Sequence, residues 1–347
     1  MKAKSALLQL VLAAVGLTLA YMTWQRPKNV SVEKRVTIAD ATKQSLELVH
    51  FEDGTRFVEL HREGDVNWVK VGYLPGKEPA PIDAGTTMMT VDAGVDGGLM
   101  QVALPPPMIL PTRETRANER ATEIFTKMTP FEATRALGVL PAEKLAELGL
   151  SDSERKLELT IAGVKRAFAI SRVMPGVIGA WAQDLASKEV FLLDGTTLTD
   201  LDPSSLMLVD RRLHTFKAVE FDRFTVKLGG KQAEFIQTNA DIQQTAKVAR
   251  VATPEKGDEI AKNWHDKIWS RLVVTEVLGK GEVPRGGEPE VALRIDYTSN
   301  GKQKGFLELG FDKNKSTWGR SENTANWVAS HQGSEEIIIE ATRLTNP

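Results

Sequence analysis

The sequence predicts an α+β fold, with an N-terminal transmembrane helix followed by two tandem repeats of hairpin, helix and antiparallel meander. Three observations predict it. Residues 6–24 form an almost unbroken apolar run. Beyond it, stretches of alternating apolar residues, the mark of half-buried strands, are interleaved with stretches of helical spacing. The order of those stretches recurs in the two halves of the chain, as an internal duplication requires.

Met1, Lys2 and Lys4 precede the apolar run, whose only polar members are Gln9, Thr18 and Thr23. As a helix its nineteen residues reach about 28 Å, against a hydrocarbon core of about 30 Å. Tyr21 and Trp24, then Arg26, Pro27 and Lys28, read as an interfacial stop. A cleaved signal peptide is the rival reading, because Thr18-Leu19-Ala20 offers a small-x-small site, but signal segments are usually shorter. The flanking charges nearly cancel. The basic residues directly ahead of the run favour a signal-anchor, residues 1–25, with the N-terminus inside and the body outside the cytoplasm.

The rest of the composition limits the chemistry. With 41% hydrophobic and 26% charged residues in 347, the chain can build true cores. Its 44 basic and 46 acidic residues leave no cationic stripe, which argues against nucleic acid as a partner. The absence of cysteine removes disulfides, thiolate metal sites and a cysteine nucleophile.

After a polar linker at 26–45, the first unit (46–215) opens with apolar runs at 57–60 and 66–71, separated by Glu63-Gly64-Asp65, a hairpin spacing. Residues 75–111 are rich in Pro and Gly and read as an insertion; two aspartates there lack the spacing and terminal glutamate of a calcium loop. Ala117, Ala121, Ile124, Phe125 and Met128 share one helical face. Residues 131–139 lead to a second short helix at 142–147, stopped by Gly149. Strands at 157–161, 167–170 and 190–193 follow. Asp202 and Pro203 then suit the start of a helix running to Leu213.

The second unit (216–347) repeats this order. Residues 224–228 and 234–237 flank Gly229-Gly230 as a hairpin. A helix is expected over 255–278, with Ile260, Trp264, Ile268 and Leu272 at fourfold spacing. Alternating runs at 291–297 and 307–311 and short strands at Trp318, at 327–328 and at 337–339 complete a meander.

Local catalytic signatures are absent from the sequence. His50, His61, His214, His265 and His331 stand singly, without metal-ligand spacing, and no nucleophile elbow, phosphate loop or dinucleotide fingerprint occurs. His265 reads as a solvated flank of its helix. Trp264, Trp269, Trp318 and Trp327 read as core, or alternatively as the walls of an apolar groove. The expectation is a non-enzymatic protein without metal or cofactor.

One stretch supports a resemblance. Residues 142–150 (AEKLAELGL), the strand 156–161 (KLELTI), Val190-Phe191-Leu192-Leu193 and Leu208-Val209-Asp210-Arg211-Arg212-Leu213 together resemble the uncharacterised bacterial family known as domain of unknown function number 4340. The resemblance covers about residues 120–240. Ser151-Asp152-Ser153 departs from the acidic residue and proline usual there, as does the 75–111 insertion. The resemblance implies a single-pass inner-membrane protein with a periplasmic body, encoded beside ABC-transporter permeases and acting as an auxiliary component of such a complex. It carries over no catalytic residues. Asp210, Arg211 and Arg212 match the family's most recognisable turn and read as a structural corner, or alternatively as a partner contact. A periplasmic hydrolase and a lipid-binding module are the alternative functions.

Overall fold

The computed structural model describes residues 35–42, 45–78, 88–92, 99–103, 112–172, 179–203, 206–238, 246–330 and 334–346. The expected membrane helix at 6–24 lies outside them. Among the described residues no helix is long and apolar enough to cross a membrane.

The chain is mostly β, with 45% strand and 16% helix, which overturns the α+β class expected from the sequence. The first half contains β1 (Val36–Ala39), β2 (Leu46–Glu52), β3 (Arg56–Glu63), β4 (Val66–Tyr73), β5 (Met88–Asp92), β6 (Leu99–Ala103), β7 (Arg113–Arg116), α1 (Glu119–Lys127), β8 (Phe131–Ala133), β9 (Arg135–Val139), α2 (Ala142–Glu147), β10 (Arg155–Ile161), β11 (Val164–Ile170), β12 (Ala180–Asp184) and β13 (Glu189–Leu193). The second half contains β14 (Arg223–Leu228), β15 (Lys231–Thr238), β16 (Lys247–Arg250), α3 (Glu259–Arg271), β17 (Val274–Val277), β18 (Glu290–Ser299), β19 (Lys302–Phe311), β20 (Thr317–Ser321), β21 (Val328–Ser330) and α4 (Ser334–Thr345).

Four segments depart from the expected elements. Residues 131–139, expected only as a connection between helices, form β8 and β9, because Phe131 and Ala133 are buried at period two and Thr134 donates to Leu192 O at 2.8 Å. The helix expected from Asp202 and Pro203 to Leu213 does not form among the described residues, where a single 3-10 turn (Thr199–Leu201) precedes it and a turn at 207–208 leads into the isolated Ala117–Val209 bridge. The 255–278 helix is shorter: Asp258 caps it by accepting from Ala261 N at 2.9 Å, and it stops before β17. In the opposite sense, Ile337, Ile338 and Ile339 belong to α4, not to a strand: Ile337, Ile338, Ala341 and Leu344 face the core at helical spacing, while Ile339 is 61% exposed.

The two large sheets follow one path. In the first, β4-β3-β2-β10-β11-β12-β13-β9 are neighbours, with β7 added outside β4; in the second the order is β16-β15-β14-β18-β19-β20-β21-β17. Each path is a three-stranded meander, a helix, an edge strand and a four-stranded meander that returns beside the first strand of the unit. All of these pairings are antiparallel. The first sheet packs one face against α1, the second against α3 and α4. The first core joins Val49, Leu60, Leu157 and Phe168 to Ile124 and Phe125 of α1. The second joins Phe224, Phe235, Ile295 and Leu309 to Trp264 of α3 and Ile337 of α4, and Trp264 Nε1 donates to Ile337 O at 2.8 Å. Each such side chain contributes about 1.5–3 kcal/mol on burial.

Candidate functional site

The two units meet along the outer edge of β7, an edge that sheet formation alone leaves with unpaired backbone groups. Two segments cover it. From the first unit, Asp210 N donates to Arg116 O and Asn118 N to Leu208 O, both at 2.9 Å. From the second, Lys280 N donates to Glu114 O at 2.7 Å. Gly279 fits this approach because a Cβ there would lie 3.2 Å from Glu114 N.

Side chains clamp both ends of the seam. Arg113 pairs with Glu276 at 2.7 Å and Glu282 at 2.9 Å. Lys280 pairs with Glu63 at 3.1 Å and lies over the Trp68 ring, 4.6 Å from its centre. At the other end Asn323 donates to Asp210 Oδ2 at 3.1 Å and to Arg212 O at 2.7 Å.

The Asp210-Arg211-Arg212 turn, noted in the sequence, lies at this junction, and its members differ in role. Asp210, whose side chain is 5% exposed, accepts from Arg212 N at 2.9 Å, Arg212 Nε at 3.0 Å and Arg212 Nη2 at 2.9 Å. Burial pushes its carboxyl upward, but the bonds from Arg212 and Asn323 prevail and hold it below the usual carboxylate range. Arg212 reaches Glu119 as well, at 2.7 Å. These two residues are a structural corner. Arg211 is different: it is exposed, and its side chain makes no hydrogen bond or ion pair among the described residues.

Two contiguous concavities open beside the turn and share Arg211 and Arg212. The larger, of about 700 Å³, is lined also by Asn118, Glu119, Arg120, Met207 and Asp210. The smaller, of about 420 Å³, has Lys217 at its rim and Phe216, Ile268, Trp269 and Leu272 on its walls. Arg120 and Lys217, like Arg211, are exposed and have no ion pair among the described residues; Arg120 reaches only Met207 Sδ, at 3.8 Å.

Behind the smaller concavity sits an aromatic cluster. The His214 ring lies 4.8 Å from Phe216, 4.9 Å from Trp269 and 5.2 Å from Tyr297, centre to centre. Its Nδ1 is 3.1 Å from Glu322 Oε1, and Glu322 also accepts from Phe306 N at 3.0 Å and Thr215 N at 3.2 Å. Burial raises the Glu322 carboxyl, yet His214 and the Phe306 N–H outweigh it and leave the group below its ordinary value. His214 Nε2 and Tyr297 Oη are buried without a hydrogen-bond partner among the described residues. His265 is 1% exposed, not the solvated flank expected, and its Nε2 accepts from Trp269 Nε1 at 3.0 Å. Burial pushes its pKa down to about 3.

A second cluster is partly compensated. His61, Glu63 and Glu114 bring ligand atoms within 4.8 Å of one another, a grouping hidden in the sequence because β3 and β7 meet only through β4. The Lys280 ammonium lies 3.1 Å from Glu63 and 3.8 Å from Glu114, one cation against two carboxylates, and His61 Nδ1 is buried without a hydrogen-bond partner among the described residues. Of the four tryptophans read together in the sequence, Trp264, Trp318 and Trp327 are buried in cores, and Trp269 lines the smaller concavity.

Arg120, Lys217 and Met207 carried no sequence signal; only the fold gathers them around Arg211. No protein-family model matches the chain, and neither a curated protein nor a solved structure matches it.

Proposed function

We propose that the protein is a membrane-tethered, periplasmic accessory subunit of an ABC-transporter-type envelope complex, and that it acts by binding a protein partner at the seam between its two units. The tether and the outward orientation rest on the apolar run at 6–24 and its basic flank. The transporter setting rests on the resemblance of residues 120–240. The observation that carries the binding role is the contrast within the seam: Arg113 and Lys280 are paired across it, whereas Arg120, Arg211 and Lys217 have no ion pair among the described residues and surround an open cleft. Surface cations left together without counter-ions mark a face shaped for an outside partner.

Copurification of full-length protein from mild detergent tests this reading. The expected result is a membrane-protein partner that is retained by the wild type and lost from an Arg211→Glu/Lys217→Glu variant. Recovery of the chain alone, together with activity on a cell-wall polymer, overturns it.

One observation favours the alternative of a periplasmic hydrolase: Glu322 orients His214 at the wall of the smaller concavity, as a carboxylate orients a general base. It ranks second because His214 Nε2 is buried and bonded to no hydroxyl among the described residues. A lipid-binding module ranks third, since Trp264 and Trp318, which a continuous apolar groove would use, are core residues.

A further inference from the structure

We infer that the seam cleft, taken as the docking face proposed above, receives an extended acidic polypeptide segment that carries one large apolar side chain. The whole chain has a formal charge of −2, yet the cleft lining holds four cations, Arg120, Arg211, Arg212 and Lys217, against two carboxylates, Glu119 and Asp210. Both carboxylates are committed to Arg212. The lining therefore has two more cations than carboxylates, and Arg120, Arg211 and Lys217 have no ion pair among the described residues, so a ligand carrying two carboxylates matches them by charge-assisted hydrogen bonds.

The apolar part of the ligand follows from the smaller concavity. Phe216, Ile268, Trp269 and Leu272 form a wall that accepts a side chain the size of Leu or Phe, with Lys217 and Arg211 at its rim. In the larger concavity Met207 is 56% exposed and supplies an adaptable apolar surface beside Arg120. Because the two concavities share Arg211 and Arg212, one continuous chain can place carboxylates in the first and its apolar anchor in the second. A nucleic acid would require a longer cationic track and an acyl chain a closed apolar tunnel; a short cationic opening with one apolar wall suits a peptide.

The test pans a phage-displayed library of random peptides on full-length protein in detergent micelles, with the Arg211→Glu/Lys217→Glu variant in parallel. Arg212 is left intact because it holds the corner, and unchanged thermal unfolding of the variant verifies its fold. The expected result is enrichment of peptides with at least two acidic residues near a Leu, Phe or Trp. A synthetic copy should bind the wild type, weaken as salt is raised, and lose about tenfold or more in affinity for the variant. Enrichment of neutral or basic peptides, no enrichment, or equal binding by the variant overturns the inference. So does variant-sensitive retention on phosphatidylglycerol vesicles without peptide enrichment, which would assign the face to anionic lipid. The failures are distinguishable: a copurified partner lost from the variant, with no acidic peptide enriched, leaves the docking reading standing, whereas failure of both experiments removes both.

Discussion

Acidification from about pH 7 to about pH 5 destabilises the second unit through His265, and a single substitution isolates the effect. The ring stacks 4.6 Å from Phe224 and accepts from Trp269 Nε1, so its neutral form is the one the core holds. Burial, aided by the charges of His214 and Lys262, pushes its pKa from 6.5 down to about 3. A base with a depressed folded pKa binds fewer protons when folded than when unfolded. Its stabilising contribution is therefore complete above about 6.5 and falls as the pH drops toward 3. At about 1.4 kcal/mol per pH unit, a move to about pH 5 costs about 2 kcal/mol. His265→Gln retains an acceptor for Trp269 and removes the titration. Urea unfolding of full-length wild type and variant at both pH values gives the comparison, and other titrating groups cancel in the difference. The wild type should lose about 2 kcal/mol more than the variant. Equal pH dependence in the two proteins would refute the assignment of a buried neutral His265.

Three further expectations concern the seam and the sheets. Asp210→Ala removes the acceptor for three Arg212 donors and for Asn323, and should cost about 3 kcal/mol in denaturant unfolding; a loss below about 0.5 kcal/mol, the level of an ordinary surface change, would show that the corner is not structural. Gly310→Ala places a Cβ 2.3 Å from Glu290 O in the β18–β19 hairpin and should destabilise by about 2–3 kcal/mol; unaltered stability would contradict this register. For His50, burial opposes protonation, but Glu59 at 3.1 Å and Glu52 at 3.0 Å prevail and raise its pKa above 6.5. Its contribution to stability is full below 6.5 and is lost as pH rises through the folded value, so an NMR titration midpoint at or below 6.5 would be the wrong result.

Much of the local structure could be read from residue patterns, and the failures have physical causes. The hairpin of β3 and β4 shows in its alternating Val58, Leu60, Val69 and Val71, and α2 in its helical residues ended by Gly149. Residues 131–139 were harder because β9 is an edge strand with few buried side chains, and its pairing with β13 comes from 50 residues away. The three isoleucines of α4 illustrate the reverse problem: β-branched residues suggest a strand until the burial of Ala341 and Leu344 reveals the helical face. In the cleft, the Asp210–Arg212 turn was legible through its match to the resembled family. Its division into a corner built on buried Asp210 and an Arg211 without an ion pair among the described residues was not, because Glu119 and Asn323 reach it from 91 and 113 residues away in sequence from Asp210. The pairing of His214 with Glu322 was hidden for the same reason, being made across 108 residues.

If the protein works through the face around Arg211, in-cell photocross-linking captures what docks there. A photoreactive residue would replace Met207, which is 56% exposed in the larger concavity and leaves the cations in place, and as a control Val139, which is 67% exposed on β9 at the opposite end of the first sheet from β7. The expected result is a discrete adduct with a membrane protein from position 207 and none from position 139. Absence of an adduct from position 207, or the same adducts from both positions, would show that this face is not the docking surface.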